Sequence, residues 1–192
     1  MAFAGRSNAG KSSAINALAQ RNRLAFVSKT PGRTRHINFF RLESGGIVAD
    51  LPGYGYAAVP AAMQRHWQTF LARYLTERRS LVGLVLLMDI RHPLTALDHR
   101  MLEWFLPSGR NVLILLTKAD KCSASERALA LKRVRATIDR TYSDHGDRLA
   151  VQLFSATRHW GIADAASVIA SWLAGDARGA STQKERPRHQ GE

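Results

Sequence analysis

The chain has 192 residues, 45% of them hydrophobic, a formal net charge of +13 and a single cysteine, Cys122. That length suits one domain with a full core, and one cysteine excludes an internal disulfide and fits a reducing cytoplasm. No apolar run approaches the roughly 18 residues of a membrane helix, and no basic-then-apolar leader opens the sequence, so neither a membrane span nor a signal peptide is expected. So basic a chain favours nucleic acid or a ribonucleoprotein as partner over mere compensation for a bound nucleotide. Up to Asp50 the only acids are Glu43 and Asp50, against Arg6, Lys11, Arg21, Arg23, Lys29, Arg33, Arg35 and Arg41.

The first element is an apolar strand, Ala2-Phe3-Ala4, shorter than the usual five or six residues of a central strand, so it is read as clipped at its start or frayed. It runs into Gly5-Arg6-Ser7-Asn8-Ala9-Gly10-Lys11-Ser12, which reads G-x-x-x-x-G-K-S, a phosphate-binding loop. Its glycines let backbone N–H groups turn inward on a polyphosphate. Lys11 supplies a charge for the β- and γ-phosphates, and the Ser12 hydroxyl can ligate Mg²⁺. The helix over 13–19 follows, giving the strand–loop–helix order the motif requires. A polar loop, Ser28 to Arg35, leads to a strand over His36–Leu42. Ser44-Gly45-Gly46 turns the chain, and Ile47-Val48-Ala49 returns as the second half of an antiparallel hairpin. Asp50-Leu51-Pro52-Gly53 and the glycine-rich Tyr54-Gly55-Tyr56 come next, as a mobile stretch. From Ala61 to Arg79, Met63, Trp67, Phe70, Leu71, Tyr74 and Leu75 keep helical spacing and are expected in the core. Val82–Met88 and Val112–Leu116 are buried parallel strands. Thr95 with Asp98, and Ser123 with Glu126, suit capping boxes of two further helices. Leu149–Phe154 is the last strand, and Ile162, Ala166, Ile169, Trp172 and Leu173 mark the last helix. A globular domain over 1–175 is thus followed by a tail over 176–192, expected to be disordered because it lacks large apolar residues other than Pro187.

Strands alternating with helices after a hairpin give an α/β fold with a mostly parallel sheet and one antiparallel edge strand. In such folds ligands sit at the carboxyl ends of the strands. Four motifs lie there in order: the phosphate loop, Asp50–Gly53, Thr117-Lys118-Ala119-Asp120 and Ser155-Ala156. Each is weak alone, and their combined order is specific. Asp50 can hold Mg²⁺ through water beside Ser12, and the Gly53 N–H can approach a γ-phosphate. The Asp120 carboxylate can accept from N1–H and N2–H₂ of guanine. Adenine would leave it unpaired, at a cost of roughly 3–5 kcal/mol. Lys118 can lay its stem on the purine, and an N–H near Ala156 can donate to O6. GTP is favoured over ATP.

The stretches GRSNAGKSS, KTPGRTRHINFF, DLPGYGYA, TKAD and FSA resemble the EngB (YihA/YsxC) family of bacterial GTPases, within the translation-factor-like P-loop class. The resemblance extends from Ala2 to about Ala174. It implies a three-layer P-loop NTPase fold with a six-stranded sheet, its hairpin at one edge. It implies a nucleotide site that adds Gly32, Arg33, Thr34, Arg35, His36 and Phe154 to the motifs above, with Thr34 ligating Mg²⁺ directly when GTP is bound. Lys11, Thr34 and Gly53 are the implied catalytic residues. Family members are described as cytoplasmic factors in assembly of the large ribosomal subunit, with a link to cell division and septation, so rRNA is the implied partner. They usually carry a longer segment before the first strand than this sequence does. In several related GTPases an asparagine at the Asn8 position helps bind K⁺; the alternative is that Asn8 only shapes the loop.

Many GTPases place Gln directly after the D-x-x-G glycine, whereas Tyr54 stands here. A slow intrinsic rate, completed by a partner or an ion, is therefore expected. Arg33 or Arg35 as an internal finger is weaker than a solvated or RNA-facing role. Two readings stand: a GTPase switch whose loops, Ser28–His36 and Asp50–Pro60, order around the γ-phosphate, or an RNA- or ribosome-binding module with GTP as a structural ligand. A monomer is expected, since no heptad run or large apolar stripe is visible.

Overall fold

Two strands of seven residues, Gly83–Asp89 and Asn111–Thr117, show how the core is made. Successive side chains of a strand point to opposite faces. Leu84, Leu86, Met88, Val112, Ile114 and Leu116 therefore fall into one hydrophobic cluster, and Val85, Leu87, Leu113 and Leu115 into the other. All ten are buried, so both faces of the sheet must be covered by helices.

The computed structural model describes residues 1–20, 36–42, 46–55 and 61–184, with side chains described outside 61–68 and 176–184. In chain order the strands are β1 (Ala2–Gly5), β2 (Asn38–Arg41), β3 (Ile47–Asp50), β4 (Gly83–Asp89), β5 (Asn111–Thr117) and β6 (Leu149–Leu153). The helices are α1 (Lys11–Leu18), α2 (Ala61–Glu77), α3 (Ala96–Phe105), α4 (Ala124–Thr141) and α5 (Ile162–Lys184). The six strands lie in the order β2-β3-β1-β4-β5-β6. Only β2 is antiparallel, to β3. Leu71 and Leu75 of α2, Met101, Leu102 and Phe105 of α3, and Val134 and Ile138 of α4 cover one face. Ala14 and Ile15 of α1 and Ala165 and Ile169 of α5 cover the other. This is the expected three-layer P-loop fold with its hairpin at one edge.

β1 is short but not frayed. Its four residues are buried and all pair with β4, and Ala2 and Phe3 also pair with β3 on the other side. Two-sided pairing supplies what length does not, and it sets Gly5 at the middle of the sheet's carboxyl edge. Both expected capping boxes are present, at Thr95/Asp98 and Ser123/Glu126.

Two expectations need correction. Phe70 keeps helical spacing but is 48% exposed, while Leu71 and Leu75 next to it form the core of α2; the apolar stripe is wider than the face the sheet can cover. The side chains of Met63 and Trp67 lie outside the described residues. α5 also continues past Asp176, where composition starts the tail, and runs to Lys184. Extending an existing helix costs far less than nucleating one, which offsets the low helix propensity of Gly179, Ser181 and Thr182.

Candidate functional site

The phosphate loop turns out of β1 directly into α1. Gly10 caps that helix in the left-handed conformation, φ 88°, with no side-chain cap and no acid in the first turn. The first-turn N–H groups and the positive end of the helix dipole therefore face outward over the loop, the arrangement that holds an anion. Asn8 is exposed at the loop tip with φ 67°, a region asparagine adopts more readily than most residues. Ser12 is half-buried on the first turn.

β3 delivers Asp50 alongside. Its carboxylate accepts from the Lys11 ammonium, and the two are among the few buried charged side chains. Beyond Asp50 the chain leaves the strand and runs beside the loop, joined to it by one isolated parallel bridge between Arg6 and Tyr54. The Ser7 N–H donates to the Tyr54 carbonyl at 2.9 Å, and the Tyr54 N–H to the Gly5 carbonyl at 3.3 Å. Gly53 sits so near Ser7 that a Cβ on it would lie 3.1 Å from Oγ and 3.2 Å from Cα. A glycine suits that approach, since any side chain there would have to push Ser7 aside by a few tenths of an ångström. The expected mobile stretch is thus held in place as far as Tyr54. Leu51 and Pro52 within it are buried.

Tyr54 does not face the loop. Its hydroxyl donates to Asp98 Oδ1 at 2.7 Å, while Asp98 Oδ2 accepts from the Thr95 N–H and hydroxyl, each at 2.8 Å. Burial raises the phenol pKa well above its ordinary value, and the Asp98 charge raises it further. The residue standing where many GTPases carry Gln is therefore an anchor to the start of α3. Sequence reasoning missed this, although Thr95-x-x-Asp98 was visible as a cap.

The base-reading motif follows β5. Thr117 is buried, and its hydroxyl lies 2.6 Å from the Ala9 carbonyl and 3.1 Å from the Met88 carbonyl. Its one proton is shared between the phosphate loop and β4. Lys118 adopts φ 57°, and its ammonium lies 3.0 Å from Asp89 Oδ2 at the end of β4. Asp89 also takes a two-pronged contact from Arg91, at 2.9 and 2.6 Å. Burial pushes the Asp89 carboxyl up, but hydrogen bonds from Arg91 and then Lys118 outweigh it and hold it well below the usual carboxylate range. Neither Asp89 nor Arg91 was expected at the site; the signal was an acid at a strand end in register with Thr117.

Asp120 Oδ1 accepts from the Ser155 hydroxyl at 2.6 Å, and that bond is the main reason its carboxyl is held below its ordinary pKa. Ser155, an unspecific signal in sequence, is what orients the carboxylate. It is buried at the end of β6, with Phe154 buried before it and Ala156 half-buried after it. The loop beyond closes through paired backbone bonds between Ser155 and Trp160, at 3.1 and 3.0 Å. The Arg127 guanidinium lies over the Trp160 ring, 4.8 Å from its centre.

The fold thus brings Lys11, Ser12, Asp50, Gly53, Lys118, Asp120 and Ser155 to one edge of the sheet. His36 is described and exposed; Gly32, Arg33, Thr34 and Arg35 lie outside the described residues, as do Tyr56–Pro60. Donor types suit the groups the motifs imply. An uncapped helix start and a lysine fit phosphates, a serine hydroxyl with a nearby carboxylate fits a hydrated Mg²⁺, and a carboxylate that only accepts fits the guanine edge. Among the described residues no helix is long and apolar enough to cross a membrane.

A family model described as "50S ribosome-binding GTPase" matches residues 1–118. The "Probable GTP-binding protein EngB" of Azoarcus sp. (strain BH72) is 56% identical over 173 residues, 90% of this chain and 81% of the relative. The crystal structure of a probable GTP-binding protein engB superposes with a TM-score of 0.69 at 17% identity, over 91% of this chain and 98% of that one. NFeoB from S. thermophilus, bound to GDP·AlF4⁻ and K⁺, shares the fold with a TM-score of 0.59 at 17% identity, over 89% of this chain and 61% of that one.

Proposed function

Because the chain belongs to the EngB family of 50S ribosome-binding GTPases, we propose that it is a GTP-dependent switch in assembly of the large ribosomal subunit, and through that needed for normal cell division and septation. The observation that carries this reading is the meeting of the phosphate loop, Asp50, Gly53 and the Asp120–Ser155 pair on one sheet edge. Lys11 and the uncapped start of α1 bind the phosphates. The arriving phosphates give Lys11 an alternative to Asp50, whose carboxylate would then be free to help hold Mg²⁺ through water. Ser12 and, by the family resemblance, Thr34 would hold Mg²⁺, which would supply positive charge beside the β- and γ-phosphates. Gly53 donates its N–H to the γ-phosphate. Asp120, oriented by Ser155, reads guanine. The hydrolysis rate is slow, because Tyr54 is engaged with Asp98 and orients no water.

Asn8 at the loop tip is a ligand for K⁺, a reading supported by a fold neighbour solved with that ion. Turnover unchanged when Na⁺ replaces K⁺ would count against it. The protein acts as a monomer in the cytoplasm, with its basic surface toward rRNA. The second reading, a ribosome- or rRNA-binding module with GTP as a structural ligand and incidental hydrolysis, is favoured by one observation, the anchored Tyr54.

Co-sedimentation with ribosomal subunits, comparing a non-hydrolysable GTP analogue with GDP over a range of salt, separates the two. Binding to the large subunit with the analogue alone supports the switch, and a steep salt dependence locates the affinity in phosphate contacts. Equal binding in both nucleotide states supports the module. No binding in either state refutes the ribosomal partner.

A further inference from the structure

The opposite edge of the sheet holds a second site. A cavity of about 600 Å³ opens at the amino ends of β4, β5 and β6, far in the fold from the phosphate loop. Arg79, Arg110 and Arg148 line it, with Asp147 as the only acid among the described residues and Trp172 as an aromatic wall. The ring of Trp172 lies directly on the start of β4: a Cβ on Gly83 would come within 2.4 Å of it.

Arg110 is the unusual member. Its Nη2 makes one long contact, 3.5 Å to the Arg79 carbonyl, and its Nη1 is buried with no hydrogen-bond partner among the described residues. Arg148 Nε reaches Asp147 only at 3.8 Å, and 35% of the Arg148 side chain is exposed. A buried guanidinium donor without an acceptor is costly, and native proteins keep such groups where something is missing from the picture. Two arginines and an indole lining one cavity offer the chemistry that a phosphate attached to a planar ring needs: N–H donors and an aromatic surface.

We propose that this cavity is a phosphate-binding site, with Arg110 and Arg148 as the ligands and Trp172 as the stacking wall for an attached base. The shared chemistry is a nucleotide phosphate, from an RNA strand or from a free nucleotide. The site stands apart from the guanine-nucleotide site at the other edge.

The test uses the full chain with Arg110→Met and Arg148→Met. Anisotropy of a fluorescein-labelled single-stranded RNA octamer reports RNA binding, and arginine side-chain N–H resonances of the wild type, titrated with inorganic phosphate and with CMP, report small anions. Each variant is expected to weaken RNA binding at least fivefold while leaving the affinity for a fluorescent GDP analogue unchanged. Arg110→Met should also raise the melting temperature of the unliganded protein, since it removes an unsatisfied buried donor. Variant-sensitive RNA binding identifies an RNA strand as the source. Phosphate and CMP shifting the Arg110 and Arg148 signals, with RNA binding insensitive to both variants, identifies a free nucleotide. No movement of the arginine signals together with unaltered RNA binding overturns the proposal. Should Arg110→Met fail to fold, Arg148→Met and the wild-type titration decide the matter, and loss of GDP-analogue binding would speak only to the other site.

Discussion

The bond between Tyr54 and Asp98 can be broken with the loss of one oxygen atom. Tyr54→Phe keeps the ring and removes the donor to Asp98 Oδ1, leaving that oxygen of a fully buried carboxylate without its 2.7 Å partner. A hydrogen bond to a charged group contributes about 1.5–3 kcal/mol, so the variant should be less stable by about 2 kcal/mol at neutral pH. For a chain of this size that is a fall in melting temperature of roughly 4–8 °C. The pH dependence adds a sharper check. The folded phenol is raised well above its ordinary value, by burial first and by Asp98 second. Its contribution is therefore complete below the unfolded tyrosine pKa, about 10, and declines as pH rises through the folded value. The stability gap between wild type and Tyr54→Phe should narrow above that pH, in urea melts run from pH 7 to 11. A gap below about 0.5 kcal/mol at pH 7, well under the range for a charged hydrogen bond, would refute the anchoring role. So would a gap independent of pH.

Asp50→Ala leaves the Lys11 ammonium buried without a partner, and the unliganded protein should lose roughly 3–5 kcal/mol; thermal melts should show GDP recovering much of that, because phosphates give the ammonium a new counterion. Asp120→Asn should move nucleotide preference from guanine towards xanthine in competition binding, and an unaltered guanine preference would sink the base-reading assignment. Ser155→Ala removes the hydroxyl that orients the Asp120 carboxylate and should weaken GDP binding by up to about tenfold, the equivalent of one hydrogen bond, as measured by fluorescent-nucleotide titration. Gly161 has φ 69°, and a Cβ there would lie 2.3 Å from the Leu153 carbonyl oxygen; Gly161→Ala should lower stability in urea melts by at least about 1–3 kcal/mol.

The parts of the fold written in local pattern were legible without coordinates. Continuous apolar runs gave β4 and β5, and the two S/T-x-x-D/E caps fixed where α3 and α4 begin. The four motifs at the sheet's carboxyl edge were legible because each is a short run of characteristic residue types directly after a strand. What escaped were pairings between distant residues of common type. Nothing local distinguishes Tyr54 as a donor to Asp98, Asp89 as the seat of Lys118, or Ser155 as the guide of Asp120; those contacts exist only once strand register puts them side by side. Phe70 escaped for another reason. Helical spacing tells which residues share a stripe, while the width of the sheet beneath decides how much of the stripe is covered.

The Thr117 hydroxyl carries a further implication. One proton stands between the carbonyls of Ala9 and Met88, so the loop that meets the phosphates and the strand that leads to the base reader lean on the same atom. A ligand that shifts one of them by a few tenths of an ångström changes how that proton is divided, and hence the footing of the other. Under the proposed function the two ends of a guanine nucleotide would be felt jointly: the energy of binding the whole would differ from the sum for base and phosphates taken separately, and by linkage each end would alter the hold on the other to the same degree.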